Sequence, residues 1–234
     1  MKIVSLGHRC HGASIIKKIG SKTESYPFDW LVSKLDTIKK CIDNNFVHFL
    51  KKSNYKTKLT SNDIGITENV SYNIEYEKEK SDVVKTYDFN LACNHYNLEN
   101  NYDYYERCVD RFMKLLESND DKMFLYIHPI LTSFKPDILD VFEDFTNYMS
   151  TRTKNFFMVY VILSRELVAE QTSFKYKNHD VYVVHCNTGF CDTGCPFEGD
   201  SEKETNEIIS ILKTYDILDK SIGTHTVDNC EIFA

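Results

Sequence analysis

Glycine and proline are scarce in this 234-residue chain, at 8 and 4, and tryptophan occurs once, at Trp30. So few breakers exclude a collagen-like repeat and a low-complexity linker, and nothing in the composition marks intrinsic disorder. Positive charge is also short: 28 Lys and Arg stand against 35 Asp and Glu, a net charge of −7. That balance disfavours nonspecific attraction to nucleic acid or an anionic membrane, and no nucleic-acid partner is expected. The densest basic stretch, Lys51, Lys52, Lys56 and Lys58, reads as a solvated face. No apolar run reaches the ~18 residues of a membrane span. Met1 to Gly7 is too short, and too soon interrupted by His8 and Arg9, to read as a signal peptide. Eight cysteines are spread along the chain, so reduced thiols and a cytoplasmic location are the expectation. Also missing are a Walker-type phosphate loop, Gly-x-Gly-x-x-Gly, His-Glu-x-x-His and Gly-x-Ser-x-Gly. Nucleotide hydrolysis, dinucleotide redox chemistry and the common zinc-protease classes therefore have no support.

What the chain does have is apolar mass: 42% of its residues are hydrophobic, with 15 Tyr and 15 Phe. A chain of this length buries roughly 70% of its unfolded surface, and one domain over residues 1–234 is the simplest organisation. Lys2 to Leu6 reads as a buried strand, His8 to Gly12 as a tight loop, and Ala13 to Ile19 as a helix stopped by Gly20. Ser25 to Leu31 is a dense aromatic segment held out of helix by Pro27. Leu35 to Phe49 has helical spacing, with Leu35, Ile38, Ile42 and Phe46 on one side. Residues 51–80 read as a polar insertion in which Val70 to Tyr76 alternates like an edge strand, and Val83 to Phe89 reads as another strand.

The second half alternates more cleanly. Helices are expected over Tyr102 to Leu116, Asp137 to Met149 (Ile138, Val141, Phe142 and Phe145 inward) and Glu202 to Tyr215. Strands are expected over Met123 to Ile127, stopped by Pro129, over Phe156 to Leu163 as a central strand, and over Val181 to Val184. The fold class this implies is α/β: a mostly parallel open sheet with helices on both faces, a three-layer arrangement of Rossmann-like or SGNH-like type. In such folds a ligand sits beyond the carboxyl ends of the strands, where the Gly7–Cys10 loop would lie.

Cys10 is the sharpest chemical candidate. A helix N-terminus carries a partial positive charge and N–H groups without acceptors, which lower a thiol pKa and can hold an oxyanion. The plainer alternative is a small packed thiol. A nucleophilic cysteine needs a histidine within reach. His95, between Asn94 and Tyr96, is the first choice and His128 the second, while His8 and His11 flank Cys10 in a tight loop. Arg9 would suit an anionic ligand. Arg107 and Arg111, one helical turn apart, would clamp a phosphate or pair with Glu106 and Asp110. His185, Cys186, Cys191 and Cys195 form the one cluster with metal-ligand types, but the paired Cys-x2-Cys knuckle is absent and no metal is expected.

Ser5-Leu6-Gly7-His8-Arg9-Cys10, the apolar helix after it and Ser25-Tyr26-Pro27-Phe28-Asp29-Trp30-Leu31 together resemble a family of bacterial and large-DNA-virus proteins labelled putative papain-like cysteine peptidases. Arg107, Arg111, Leu115 and Leu116 match its later Arg-bearing helix with a Leu pair. The resemblance is specific over residues 1–50 and weaker through Leu125. It implies a nucleophile at Cys10 with a later histidine, best placed at His95, and for a viral source a location in host cytoplasm or virion. The strand that leads straight into the cysteine loop is also similar to the Gly-Ser-Cys-Phe-Ala group of SGNH hydrolases, whose C-terminal Asp-x-x-His is met here only by a reversed Thr224-His225-Thr226-Val227-Asp228. Family members are associated with surface polysaccharides, which opens a glycan-modifying transferase acting on a nucleotide sugar as an alternative. There Asp29 or His95 would be the base and Arg9, Arg107 or Arg111 the phosphate clamp.

The leading expectation is a cofactor-free thiol hydrolase or acyl transferase acting on a small-molecule, glycan or peptide substrate. Cys10 attacks, His95 is the base, and Asp29 or Asn94 orients it. Gly7, His8, Arg9, Trp30, Asn94, Arg107, Arg111 and His128 line the substrate site. A noncatalytic binding protein on the same scaffold is the third reading.

Overall fold

The computed structural model describes residues 1–7, 10–59, 65–73, 91–93, 101–130, 137–164, 172–186 and 202–215. Two sheets organise them. The larger has the order β1 (Lys2–Ser5), β6 (Lys122–Ile130), β7 (Phe156–Ser164), β9 (His179–His185), β8 (Thr172–Lys175). Its first four members are parallel, and β8 pairs antiparallel with β9. The smaller is antiparallel, in the order β2 (Leu31–Ser33), β5 (Leu91–Cys93), β4 (Gly65–Asn69), β3 (Tyr55–Leu59).

The period of two along the parallel strands sends alternate side chains to two separate cores. Val4, Phe124, Tyr126, Met158, Tyr160 and Ile162 face one of them, where α2 (Leu35–Asp43), α4 (Tyr102–Glu117) and α5 (Asp137–Ser150) pack. Ile3, Met123, Leu125, Val159 and Val161 face the other, under α1 (His11–Lys18) and α6 (Glu202–Lys213). The chain is therefore an α/β protein with helices on both faces of a mostly parallel sheet.

Several boundaries differ from expectation, each for a local reason. Strand β6 runs on through Pro129 instead of stopping before it. Lys2 N–H bonds the Asp121 carbonyl and Leu6 N–H the Leu125 carbonyl, so odd-numbered residues of β6 turn their polar groups toward β1. Strand β1 ends at Ser5, opposite Leu125, so at Pro129 the missing N–H breaks no ladder bond. Helix α2 ends at Asp43, not Phe49. Asn45 takes φ 49°, and the Phe46 N–H closes back on the Cys41 carbonyl at 2.8 Å, a Schellman stop that asparagine tolerates. Phe46 and Phe49 still reach the core, meeting edge-on at 5.5 Å and packing against Phe28 and Phe112.

Val70–Asn73 is the short helix α3, not an edge strand. The Asn69 side-chain oxygen accepts the Ser71 N–H at 3.1 Å and so starts the turn. The polar stretch before it forms β3 and β4 of the antiparallel sheet; residues 74–80 and the strand expected over 83–89 lie outside the described residues. Val141 is 45% exposed, at the edge of the α5 stripe that buries Phe142, Phe145, Thr146 and Met149. Helix α1 ends as expected at Gly20, with φ 73°. Its Schellman bonds run from Gly20 N–H to Lys17 O and from Ser21 N–H to Ile16 O.

Candidate functional site

Strand β1 delivers Leu6 and Gly7 to the carboxyl edge of the large sheet, and Cys10 follows as the N-cap residue of α1. Cys10 has a helical backbone (φ −68°, ψ −7°), is 6% exposed, and its side chain makes no capping hydrogen bond. Its carbonyl accepts the Ser14 N–H at 2.9 Å, the first bond of the helix. The N–H groups of His11, Gly12 and Ala13 thus belong to the turn in which an α-helix has no internal acceptor.

Gly7 is needed twice over. Its φ is 84°, and a Cβ there would stand 2.1 Å from Ser33 Oγ, 3.0 Å from the Phe28 carbonyl oxygen and 3.2 Å from that of Leu31. The loop is therefore walled by the aromatic segment and by β2. The Ser33 hydroxyl donates to the Leu6 carbonyl at 2.9 Å, and the Gly7 N–H reaches Ser5 Oγ at 3.3 Å. Gly12 lets the first turn of α1 sit down on Ser5, whose Oγ would be 2.5 Å from an added Cβ. Ser5 opens the motif that carries the family resemblance but has no role assigned there, and Ser33 shows in the sequence only as a small polar residue beside an apolar pair.

Asp29 is buried beside this wall, 1% exposed. Its Oδ2 accepts the Tyr26 N–H at 2.8 Å and the Lys22 ammonium. Burial raises its carboxyl pKa, while Lys22, the Tyr26 N–H and Arg111 act to lower it. Lys22 was also missed, although a carboxylate in an aromatic segment demands a cationic or N–H partner somewhere. Trp30 is partly exposed, with the Lys22 ammonium 5.9 Å from its ring centroid. Arg111 on α4 donates to the Ser25 carbonyl at 3.1 Å, stitching that helix to the same segment, and Arg107 is exposed. Asp110 pairs with Lys114 at 2.8 Å.

His128 lies two residues before the end of β6, one strand from β1 and three residues past the level of Ser5. It stacks on Tyr126 at 6.1 Å and meets Phe142 edge-on at 6.2 Å, on the α2–α5 face and away from α1. Desolvation, helped by Lys34, lowers its pKa to about 4. At neutral pH the ring is uncharged, and it is a weak base for a thiol that ordinarily titrates near ~8.5. His185 ends β9, three strands from β1, or about 14 Å at the usual strand spacing. His11 is buried at the head of α1. Cys186 packs fully buried in the α1–α6 core, and among the described residues no group of three His, Cys, Asp or Glu side chains could hold a metal ion. His8, Arg9, Asn94, His95, Cys191 and Cys195 lie outside the described residues, as does the 224–228 tail.

A family model described as putative papain-like cysteine peptidase matches residues 1–187, most of the chain and all of the elements just described around Cys10. The chain belongs to this family. The comparisons with curated proteins and with solved structures return no match. At a coarse level the family description is that of a cysteine hydrolase of peptidase type. Among the described residues no helix is long and apolar enough to cross a membrane. The family's name points to papain, but here the cysteine follows directly from a parallel strand, so the surrounding scaffold is an α/β sheet edge.

Proposed function

We propose that the protein is a thiol hydrolase of peptidase type, or a related acyl transferase, with Cys10 as nucleophile. One observation supports the reading: Cys10 is the N-cap residue of α1, so its backbone stands at the positive end of a helix, next to the first-turn N–H groups. The Cys10 thiolate adds to a substrate carbonyl, forming a C–S bond as the π electrons move to oxygen. The first-turn N–H groups stabilise that oxygen. Collapse expels an amine or alcohol, which takes a proton from the base, and leaves a thioester. Water then attacks, giving its proton to the base, and the acid departs with return of the thiolate. His95 is the base in this reading, oriented by Asn94 or by Asp29, and His128 offers a neutral hydrogen-bonding ring to substrate.

The test is the iodoacetamide rate of Cys10 from pH 5 to 9, followed by intact mass and peptide mapping. An activated thiolate gives fast labelling with a midpoint well below ~8.5, the value of a free thiol. Labelling only on unfolding refutes the proposal. Cys10→Ser is expected to keep the fold and lose turnover of an activated ester or peptide substrate.

A further inference from the structure

Asp29 uses its two oxygens unequally. Oδ2 holds the Tyr26 N–H and the Lys22 ammonium, while the buried Oδ1 has no hydrogen-bond partner among the described residues. Lys22 follows the end of α1, keeps only 13% of its side chain exposed, and donates also to the Glu24 carbonyl at 3.1 Å. The groups that face this pair come from two elements. From its own segment come Tyr26, whose hydroxyl donates to Glu24, and the Trp30 ring. From α4 come Arg111, Tyr104 and Cys108, all within electrostatic reach of Asp29.

The bonds made by Oδ2 have a direct consequence for the loop. The Tyr26 N–H is held by the carboxylate, the Asp29 N–H returns to the Tyr26 carbonyl at 3.3 Å, and the Leu31 N–H to the Phe28 carbonyl at 3.5 Å. The Phe28 carbonyl oxygen of this turn, and that of Leu31 directly after it, wall Gly7 together with Ser33 Oγ. We propose that Lys22 and Asp29 are a positioning pair, whose ion pair locks the 26–30 turn and through it fixes the backbone that leads into Cys10. Neither residue touches substrate in this role. A buried carboxylate without its cation is costly, and it relieves that cost by taking up a proton. The Oδ2 acceptor then weakens and the wall loosens. The proposal deepens the Cys10 reading but is read out independently of it.

Two measurements on the full chain test it. The emission of Trp30, the single tryptophan, reports the pair as pH is varied. Hydrogen exchange of the amides from Leu6 to Cys10, corrected for intrinsic pH dependence, reports the loop. In Lys22→Met the Trp30 transition is expected to move up by about 1–3 pH units relative to the wild type, the usual effect of removing an opposite charge. Below the new midpoint, exchange across the loop rises by about tenfold or more. Asp29→Asn abolishes the transition, and Lys22→Arg restores the wild-type profile. Should Lys22→Met fail to unfold cooperatively, Lys22→Gln is read in its place. A transition that stays put in the lysine variant, or survives in Asp29→Asn, overturns the pair. A Trp30 shift with unchanged exchange from Leu6 to Cys10 makes it a local ion pair and overturns the positioning role. If Cys10 proves inert to iodoacetamide while both shifts occur, the catalytic reading falls and the pair stands.

Discussion

Replacing Gly7 by alanine tests how tightly the cysteine loop is walled. Two costs add. A side chain at φ 84° is strained by about 1–2 kcal/mol. The added methyl also meets Ser33 Oγ at 2.1 Å and two backbone carbonyl oxygens at 3.0 and 3.2 Å. Ser33 can turn away only by giving up its bond to the Leu6 carbonyl, worth about 1 kcal/mol, and shifting packed backbone costs about 1–3 kcal/mol more. The expected total is about 3–6 kcal/mol. Gly20 supplies the control within the same chain: its φ is 73°, and an added Cβ meets nothing within 4 Å. Gly20→Ala is therefore expected to cost the backbone strain alone, about 1–2 kcal/mol. Urea unfolding followed by far-UV circular dichroism measures both, and equal m-values would show that the unfolded state is unchanged. Ser33→Ala removes the nearest clashing atom, so its combination with Gly7→Ala should cost less than the two changes summed. Equal losses for the Gly7 and Gly20 variants would refute the contact between loop and wall.

Two further expectations follow from burial. Desolvation pushes Cys41 up to about 12 and Cys108 up to about 11, each tempered by a tyrosine hydroxyl, Tyr72 or Tyr104. Neither should alkylate at pH 8 in the folded protein, and mass mapping that finds either labelled as fast as a peptide thiol would contradict their burial. His128, lowered from 6.5 to about 4, should make stability depend on acid. Because the folded protein disfavours the charged ring, its contribution is complete above pH 6.5 and is lost as pH falls toward 4. The loss is at most about 3 kcal/mol by linkage, less where water reaches the partly exposed ring. His128→Phe should flatten that part of a pH–stability curve, and an unchanged slope would count against the depressed value.

Much of the parallel sheet was legible because its strands are long apolar runs bounded by helices of clear period. Phe156–Ser164 and Tyr102–Glu117 fall close to where a continuous apolar run and helical spacing put them. That Cys10 stands near the start of a helix was legible too, from a glycine after a buried strand and before an apolar run, although the helix begins at His11 and not at Ala13. The antiparallel sheet was not. Strands β2 and β5 are three residues each, too short for a pattern, and β3 carries Lys56 and Lys58 among its five residues. The partner of Asp29 was hidden for another reason: Lys22 precedes it by seven positions across an irregular segment that contains Pro27, where no helix or strand period applies.

The position of β1 has a consequence for how selectivity could vary. Among the described residues the parallel order β1-β6-β7-β9 runs one way without reversal, so the cysteine loop does not sit in a crevice between diverging crossovers. It sits on a margin, and its far wall is borrowed from β2 and the turn before it. Chemistry and enclosure are thus carried by separate parts of the chain. Exchanges in the borrowed wall can reshape what docks beside Cys10 while the five-stranded sheet, and the helix that presents the sulfur, remain as they are.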